Sequence, residues 1–545
     1  MTSSAMQNDS IDLCYDVLMR RQCVCVLFFS ALRLAQPAWA NSSAQHPTPS
    51  VSDAAVAAQR AVLAEIQRAA PHALAQWGAP AMAIAAVVDN QVIFIGGFGN
   101  RRQDDEAKVD EHTRFALASL TKTFTAALVL QQAEDGKLSL GVPVRSLRHD
   151  FSLRDPVASE QLTLIDVLSH RSGIDESADL LWMGTGYDRS EVLRRIAQVP
   201  QATPFRSRFA YSNVLYVLAG EQAAERAGMS WESLLTKRIL VPAKMTDAAM
   251  GIASASLGNA ARPHAMRDGR LTPIDPRNLD NIAPAAGLYS SAADLSRWLK
   301  LWTQGGSLDG EQILSTSVVE AMLTPHTIVG LAPWAKKLYP ESHFLLHGLG
   351  WMLQDYRGKM LAWNTGGIDG YSCSIAVLQD QQKFGVAVLT NVPFTGLPEA
   401  MVFQLIDAWL SAPSKDWIQI RLKMSMESRA RQARAEQIEL GPRNSAAWSV
   451  PVEKLLGRYV SSLLGNAEIS QHNGVLTLRI AKTLSGKLSP WQANRLRMQF
   501  DDPAIAPAPL TFKLGASGSI DQFVLGEYGT FVRETPSAQA NPIKQ

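Results

Sequence analysis

Strand-like sequence at both ends of a long helical stretch is the feature that most restricts how this chain can fold. Ala81 to Val88 and Gln91 to Phe98 are apolar runs flanking Asp89-Asn90, a tight hairpin turn. Helical spacing with long loops then dominates as far as Leu301. Strands return around Gly348 to Leu353 and continue through Asn391. Within that stretch Tyr371 to Leu378 reads as a strand, Gln379 to Gln382 as a turn, and Phe384 to Leu389 as the returning partner. Helices inserted between such segments imply a sheet completed by distant pieces of chain.

At 545 residues the chain is too long for one compact core, so two folded domains are expected. The second begins at Val452, where the apolar periodicity changes to two. Leu455 to Val460, Val475 to Ile480, Arg495 to Phe500, Leu510 to Leu514 and Phe523 to Leu525 read as short alternating strands, with Asn473-Gly474 at a hairpin turn. This β-domain carries no catalytic constellation and is expected to be independent, supporting catalysis without performing it. Before it lies a charged, helix-compatible connector, whose mostly basic Lys415 to Arg434 stretch reads as a solvated helix and not a membrane-surface one. Ala54 to Gln76 is Ala-rich with helical spacing. The expected organisation is a leader and signal peptide over 1–40 and a linker with an N-terminal helix over 41–79. The main domain follows over 80–413, the connector over 414–447, the β-domain over 448–535 and a polar tail over 536–545.

Ser119-Leu120-Thr121-Lys122 is the only Ser-x-x-Lys in the chain, and it opens a helix expected from Leu120 to about Glu134 and closed by Asp135-Gly136. Leu120, Phe124, Ala127, Leu128 and Gln131 fall on one face of it. A serine hydroxyl is a poor nucleophile until a partner takes its proton. Residues three apart share a helix face, so Lys122 stands beside Ser119, where burial favours a neutral amine. About one such four-residue match arises by chance in a chain this long, and a surface serine capping a helix is the bland alternative. Two further elements follow in order. Tyr211-Ser212-Asn213 is unique among the ten tyrosines, and Asn364-Thr365-Gly366-Gly367 leads into the strand at Tyr371.

With these elements the chain resembles the penicillin-recognising serine hydrolases, specifically the class C β-lactamase-like family of esterases, D-aminopeptidases and D-Ala-D-Ala peptidases. The resemblance runs from about Pro80 to Trp409. It includes Glu134 to Leu140, Leu162 to Gly173, Phe209 to Leu218, Ala286 to Ser290 and His347 to Trp351. It implies an α/β (α+β) fold, a β-lactamase/transpeptidase-like sandwich of antiparallel sheet and helices with an all-helical lobe and the site in the cleft between. The C-terminal segment resembles the small antiparallel β-barrel-like domain often appended to such hydrolases.

By the same resemblance Ser119 is the nucleophile, Lys122 and Tyr211 share the proton work, and Asn213 orients the lysine and the substrate amide. Which of Lys122 and Tyr211 is the acylation base stays open. Asn364, Thr365 and Gly366 line the substrate, and the backbone N–H groups of Ser119 and Gly367 form the oxyanion hole. His170, in Leu168 to Gly173, is expected to tie a loop together and not to act as a base. One departure is chemical: the family places lysine or histidine where this chain has Asn364, and a cation there helps to hold a substrate carboxylate. The reading is an exported serine hydrolase acting through an acyl-enzyme on small carboxylic esters or D-amino-acid peptides. A true β-lactamase and a non-catalytic penicillin-binding-like sensor are the alternatives.

Composition narrows the partners. Hydrophobic content of 46% and charged content of 19% describe an ordinary globular protein, and a net charge of +2 with no basic stripe argues against nucleic acid. No histidine lies in a metal-binding spacing, no Gly-x-Ser-x-Gly elbow exists, and no cofactor or metal is required. A small ester, amide or peptide is the expected partner; no oligomeric state follows. At the N-terminus Met19-Arg20-Arg21, the apolar Cys23 to Leu32 and Ala38-Trp39-Ala40 read as an export signal cleaved after Ala40, with the start at Met1 or Met19 left open. That reading sends the mature chain to the periplasm or outside the cell, with no membrane contact expected after cleavage. Of four cysteines only Cys373 then remains, as a packed structural thiol.

Overall fold

A computed structural model describes residues 53–252, 257–267, 270–380, 382–393, 396–413, 415–444, 448, 450–514 and 519–534. The leader, the cleavage site, residues 41–52 of the linker and the whole polar tail lie outside the described residues. Every residue of Ala81–Val88 (β1) is buried, which is why this strand is apolar on both faces. It turns at Asp89, held at φ +50°, into Gln91–Gly99 (β2). The later strands are Thr327–Ile328 (β3), Leu345–His347 (β4), Met352–Tyr356 (β5), Lys359–Ile368 (β6), Tyr371–Gln379 (β7) and Phe384–Thr390 (β8). Together they make an eight-stranded antiparallel sheet in the order β3-β4-β5-β6-β7-β8-β1-β2. The first hairpin docks on the last, from Met82 opposite Thr390 to Val88 opposite Phe384. The sheet is therefore closed by distant pieces, as the sequence implies. One expected strand is displaced: Gly348 to Trp351 is the connection between β4 and β5, bent by Gly350 at φ +86°.

Helices cover both faces. Asp53–Trp77 (α1), Gly396–Trp409 (α5) and Trp417–Leu440 (α6) lie on one side, where Val62, Ile66, Leu405 and Trp417 pack on Met82, Ile84, Ala86 and Val88. On the other side Ala81, Ala83, Ala85 and Val87 join the core of Thr121–Glu134 (α2), Asn213–Ala227 (α3) and Ala292–Thr303 (α4). Phe124 of α2 stacks on Trp298 of α4 at 4.0 Å. No helix among the described residues is long and apolar enough to cross a membrane.

The chain reaches α2 through a braced turn. Phe115–Ala116 pairs with Leu288–Ser290, Leu117 N–H donates to Leu288 O at 2.8 Å, and a 3-10 turn over Ala118–Leu120 follows. A Cβ on Gly366 of β6 would sit 2.0 Å from Leu117 O, so only glycine lets the sheet approach this turn.

After α6 come Gly457–Ser461 (β9), Gly465–His472 (β10), Val475–Ile480 (β11), Leu484–Gln492 (β12), Arg495–Phe500 (β13), Ala508–Leu514 (β14), Ile520–Leu525 (β15) and Gly529–Arg533 (β16). They form a closed barrel, with Tyr459 of β9 opposite Arg533 of β16. The five expected strands are there, the first beginning at Gly457 and not Leu455. Strands β10, β12 and β16 were not legible. Small inward residues at Gly465, Ala467 and Gly486 blunt the alternation of β10 and β12, and β16 is cut short by Gly529. The barrel does not hang free: its buried residues join the same apolar cluster as the helical side of the sheet. Tyr187 Oη donates to Leu464 O at 2.5 Å, Lys482 N–H to Thr185 O at 3.0 Å and Thr483 Oγ1 to Gly184 O at 2.7 Å.

Candidate active site

Ser119 sits in the 3-10 turn and caps nothing; α2 starts with no side-chain cap. Ala118 before it is held at φ +46°, a strained conformation for a residue with a Cβ. The turn aims the hydroxyl across the cleft, where Ser119 Oγ lies 2.6 Å from Tyr211 Oη and 3.2 Å from Lys122 Nζ. The bland capping alternative fails on this geometry.

Lys122 is 2 % exposed, and its Nζ also donates to Asn213 Oδ1 at 2.7 Å and to Ala285 O at 3.0 Å. Burial draws its pKa down to about 7, against the opposing pull of Asp179. The valences matter here. A neutral amine has two N–H donors and one lone pair. With Asn213 Oδ1 and Ala285 O taking both protons, the lone pair is left for the Ser119 hydroxyl. The carbonyl of Ala285 is fixed by its own neighbours, since Thr125 Oγ1 donates to Pro284 O at 2.6 Å and Leu288 N–H to Thr121 Oγ1 at 3.2 Å.

Asn213 is the first residue of α3, which Ser212 caps by accepting Leu215 N–H at 3.3 Å. Its amide is oriented by Asp179: Asn213 Nδ2 donates to Asp179 Oδ2 at 2.9 Å, and Trp182 Nε1 donates to Oδ1 at 3.0 Å. Burial raises the Asp179 pKa. Neither Asp179 nor Ala285 was singled out from sequence. One is a carboxylate with no characteristic spacing to Asn213, and the other acts through its backbone.

Tyr211 presents 39 % of its surface to the open side of the cleft, while packing around it pushes its pKa up through desolvation, so the phenol keeps its proton at neutral pH. His170 lies beneath it, rings 4.5 Å apart, with Nδ1 accepting Ser212 N–H at 3.2 Å and its carbonyl accepting Ala210 N–H at 2.7 Å. Desolvation holds the His170 pKa well below its ordinary value, and that of neighbouring His347 near about 4. His170 thus ties down the loop carrying Tyr211 as a neutral ring.

The β6 residues divide. Asn364 Nδ2 donates to Gly350 O at 2.6 Å, Gly366 is buried against Leu117, and Gly367 is exposed at the cleft. Thr365 is half-buried opposite Ser374. Cys373 is buried with Sγ donating to Leu117 O at 3.1 Å and a pKa pushed up to about 12, a packed thiol.

A family model described as Beta-lactamase matches residues 66–407, more than half of the chain and all of the residues above. The chain belongs to the beta-lactamase family. Among curated relatives, an unguisins hydrolase of Aspergillus violaceofuscus is 27% identical over 373 residues, covering 65% of this chain and 65% of that protein. This beta-lactamase-family chain thus spans just under two thirds of that relative's length. Among solved structures, the octameric penicillin-binding protein homologue from Pyrococcus abyssi shares the fold at TM-score 0.56 and 22% identity, over 86% of this chain and 100% of that one. The D-amino acid amidase from Ochrobactrum anthropi aligns at TM-score 0.50 and 19% identity, over 69% and 100%.

Proposed function

We propose that this beta-lactamase-family chain is a serine hydrolase that cleaves esters or amides through an acyl-enzyme on Ser119. The observation carrying it is that Lys122 Nζ lies 3.2 Å from Ser119 Oγ while Asn213 Oδ1 and Ala285 O stand at 2.7 and 3.0 Å; in the neutral amine those two oxygens take both N–H groups, and the lone pair then faces the Ser119 hydroxyl. As Oγ attacks the substrate carbonyl, its proton passes to Lys122 Nζ. The oxyanion is received by the N–H groups of Ser119 and Gly367. Tyr211 stays protonated, donates to the departing oxygen or nitrogen, and regains a proton from Lys122 through the shared network. Water then repeats the sequence on the acyl-enzyme. On this reading Lys122 is the acylation base and Tyr211 the acid; the low pKa of Lys122 and the raised pKa of Tyr211 support that assignment.

Asn364, Thr365 and Gly366 belong to the strand that leads to Gly367 and are assigned to substrate binding, with no cation among them. That favours neutral esters and D-amino-acid amides over β-lactams, whose carboxylate lies close to the reacting carbonyl. The relative named as an unguisins hydrolase supports hydrolysis as the reaction class. We assign residues 80–413 to catalysis, 414–447 to the connector and 448–535 to the barrel. Export rests on the Arg20-Arg21, apolar and Ala38-Trp39-Ala40 sequence alone.

A turnover panel tests the function. The protein should hydrolyse a p-nitrophenyl ester or a D-alanine amide faster than a chromogenic cephalosporin, and Ser119→Ala should abolish turnover. Efficient cephalosporin hydrolysis would instead establish the β-lactamase reading, and binding of all three without turnover the sensor.

A further inference from the structure

Asp179 is the carboxylate that fixes Asn213, and the chain that carries it is held from the barrel. It lies in the 3-10 turn Glu176–Leu181, and the residues leaving that turn stay tied to it. Trp182 Nε1 donates to Asp179 Oδ1 at 3.0 Å, Trp182 N–H to Asp179 O at 3.3 Å and Thr185 Oγ1 to Leu181 O at 2.7 Å. Asn281 Nδ2 donates to the carbonyls of Trp182 and Tyr187, at 3.1 and 3.0 Å, which draws residues 183–186 into a closed loop.

This loop has little shape of its own, because Gly184 at φ +70° and Gly186 at φ +72° sit in the left-handed region. The barrel supplies the shape. In the turn between β11 and β12, the N–H groups of Lys482 and Thr483 both reach Thr185 O, at 3.0 and 3.3 Å, and Thr483 Oγ1 donates to Gly184 O at 2.7 Å. In the turn between β9 and β10, Tyr187 Oη donates to Leu464 O at 2.5 Å and Arg195 Nη1 to Leu463 O at 3.0 Å. A Cβ on Gly186 would sit 2.7 Å from Thr483 Oγ1, and one on Gly184 would sit 3.2 Å from Leu484 Cδ1. Thr185 between them is fully buried.

We infer that the barrel positions the catalytic base: its turns hold the 182–187 loop, the loop holds Asp179, and Asp179 holds the Asn213 amide that orients Lys122. Thr483, Tyr187 and Trp182 are positioning residues that act through Asp179. The inference rests on Lys122 as the acylation base, and it gives the barrel a part in the chemistry without a catalytic group of its own. A loosened loop lets Asp179 retreat. From about 8 Å through the Asn213 amide, a retreat of about 2 to 4 Å removes attraction equivalent to about 0.3 to 0.5 pH unit on Lys122. The ammonium is then favoured less, so activity reaches its plateau at lower pH. The plateau itself falls, because Asn213 is held less firmly.

Acylation of the full-length protein by p-nitrophenyl acetate, followed from pH 5 to pH 9, tests this in Thr483→Val and Gly186→Ala. Both should move the acid limb of kcat/KM down by about 0.3 to 0.5 pH unit and lower kcat with KM little changed. In the Asp179→Asn background neither should move the limb further. Thr483→Ser keeps the hydroxyl and should leave the limb where it is in the unmodified protein. Tyr459→Phe removes a buried hydrogen bond inside the barrel, to Leu455 O at 2.8 Å, and should lower stability with the limb in place. A limb unmoved by Thr483→Val, or moved equally by Tyr459→Phe or in the Asp179→Asn background, would overturn the tether. Asp179→Asn alone separates the two readings. If it shifts the limb and Thr483→Val does not, only the tether fails; a limb that neither variant moves removes Lys122 as the titrating base along with it.

Discussion

Replacing Asp179 with asparagine should move the acid limb of the pH profile of kcat/KM to lower pH. Asp179 reaches Lys122 through one residue: Lys122 Nζ to Asn213 Oδ1 is 2.7 Å, and Asn213 Nδ2 to Asp179 Oδ2 is 2.9 Å. With about 2.3 Å across the amide, the ammonium and carboxylate are within about 8 Å. At an effective dielectric constant of about 20 their attraction is about 2 kcal/mol, or roughly 1.5 pH units on the lysine. The sign follows from the role. Lys122 works as the neutral base, so activity rises with pH through its pKa of about 7. Removing the anion removes the attraction that favours the ammonium, lowers that pKa and shifts the limb down by about one to one and a half units. The plateau should fall as well, because asparagine cannot accept from both Asn213 Nδ2 and Trp182 Nε1 without turning a donor toward one of them. The assay is stopped-flow acylation by p-nitrophenyl acetate between pH 5 and pH 9. A limb that stays in place, or moves to higher pH, would refute Lys122 as the titrating base under Asp179's influence.

Lys122→Ala and Tyr211→Phe should each lower kcat by about a hundred- to ten-thousandfold, and the double variant by little more, because they serve one proton path; additive losses in the same ester assay would separate their roles. Asn364→Lys should raise kcat/KM for a cephalosporin about ten- to a hundredfold through about 1.5–3 kcal/mol of charge-assisted hydrogen bonding. A neutral ester serves as control for any general effect on Tyr211, and no gain would show that another group already meets that carboxylate. Tyr187→Phe leaves Leu464 O without its buried donor and should cost about 1–3 kcal/mol, lowering the urea midpoint of one cooperative transition. A barrel that unfolds separately in the unmodified protein would contradict the shared core.

The fold was legible where burial leaves a strong pattern. β1 and β7 are apolar runs because central strands are covered on both faces, and their separation in sequence implied a sheet joined across the chain. The barrel was half visible: β11 and β13 alternate large apolar residues with polar ones, whereas β10 and β12 fill their inward positions partly with glycine and alanine. Ser119, Lys122, Tyr211 and Asn213 were found because two short motifs carry them, and the structure brings all four within one hydrogen-bonded network. Asp179 was missed because its partnership with Asn213 is made by tertiary packing of a 3-10 turn. Ala285 was missed because a carbonyl leaves no side-chain signature. The strain at Ala118 was equally hidden, since nothing in an alanine announces φ +46°.

The central claim is that Ser119 is the covalent nucleophile and Lys122 its base. Peptide mapping of the full-length protein after fluorophosphonate treatment, followed from pH 5 to pH 9, addresses it most directly. A single adduct is expected on the peptide holding Ser119, formed at a rate that rises through about pH 7 with the Lys122 titration and lost in Ser119→Ala. An adduct on another serine, or labelling that persists in Ser119→Ala, would contradict it.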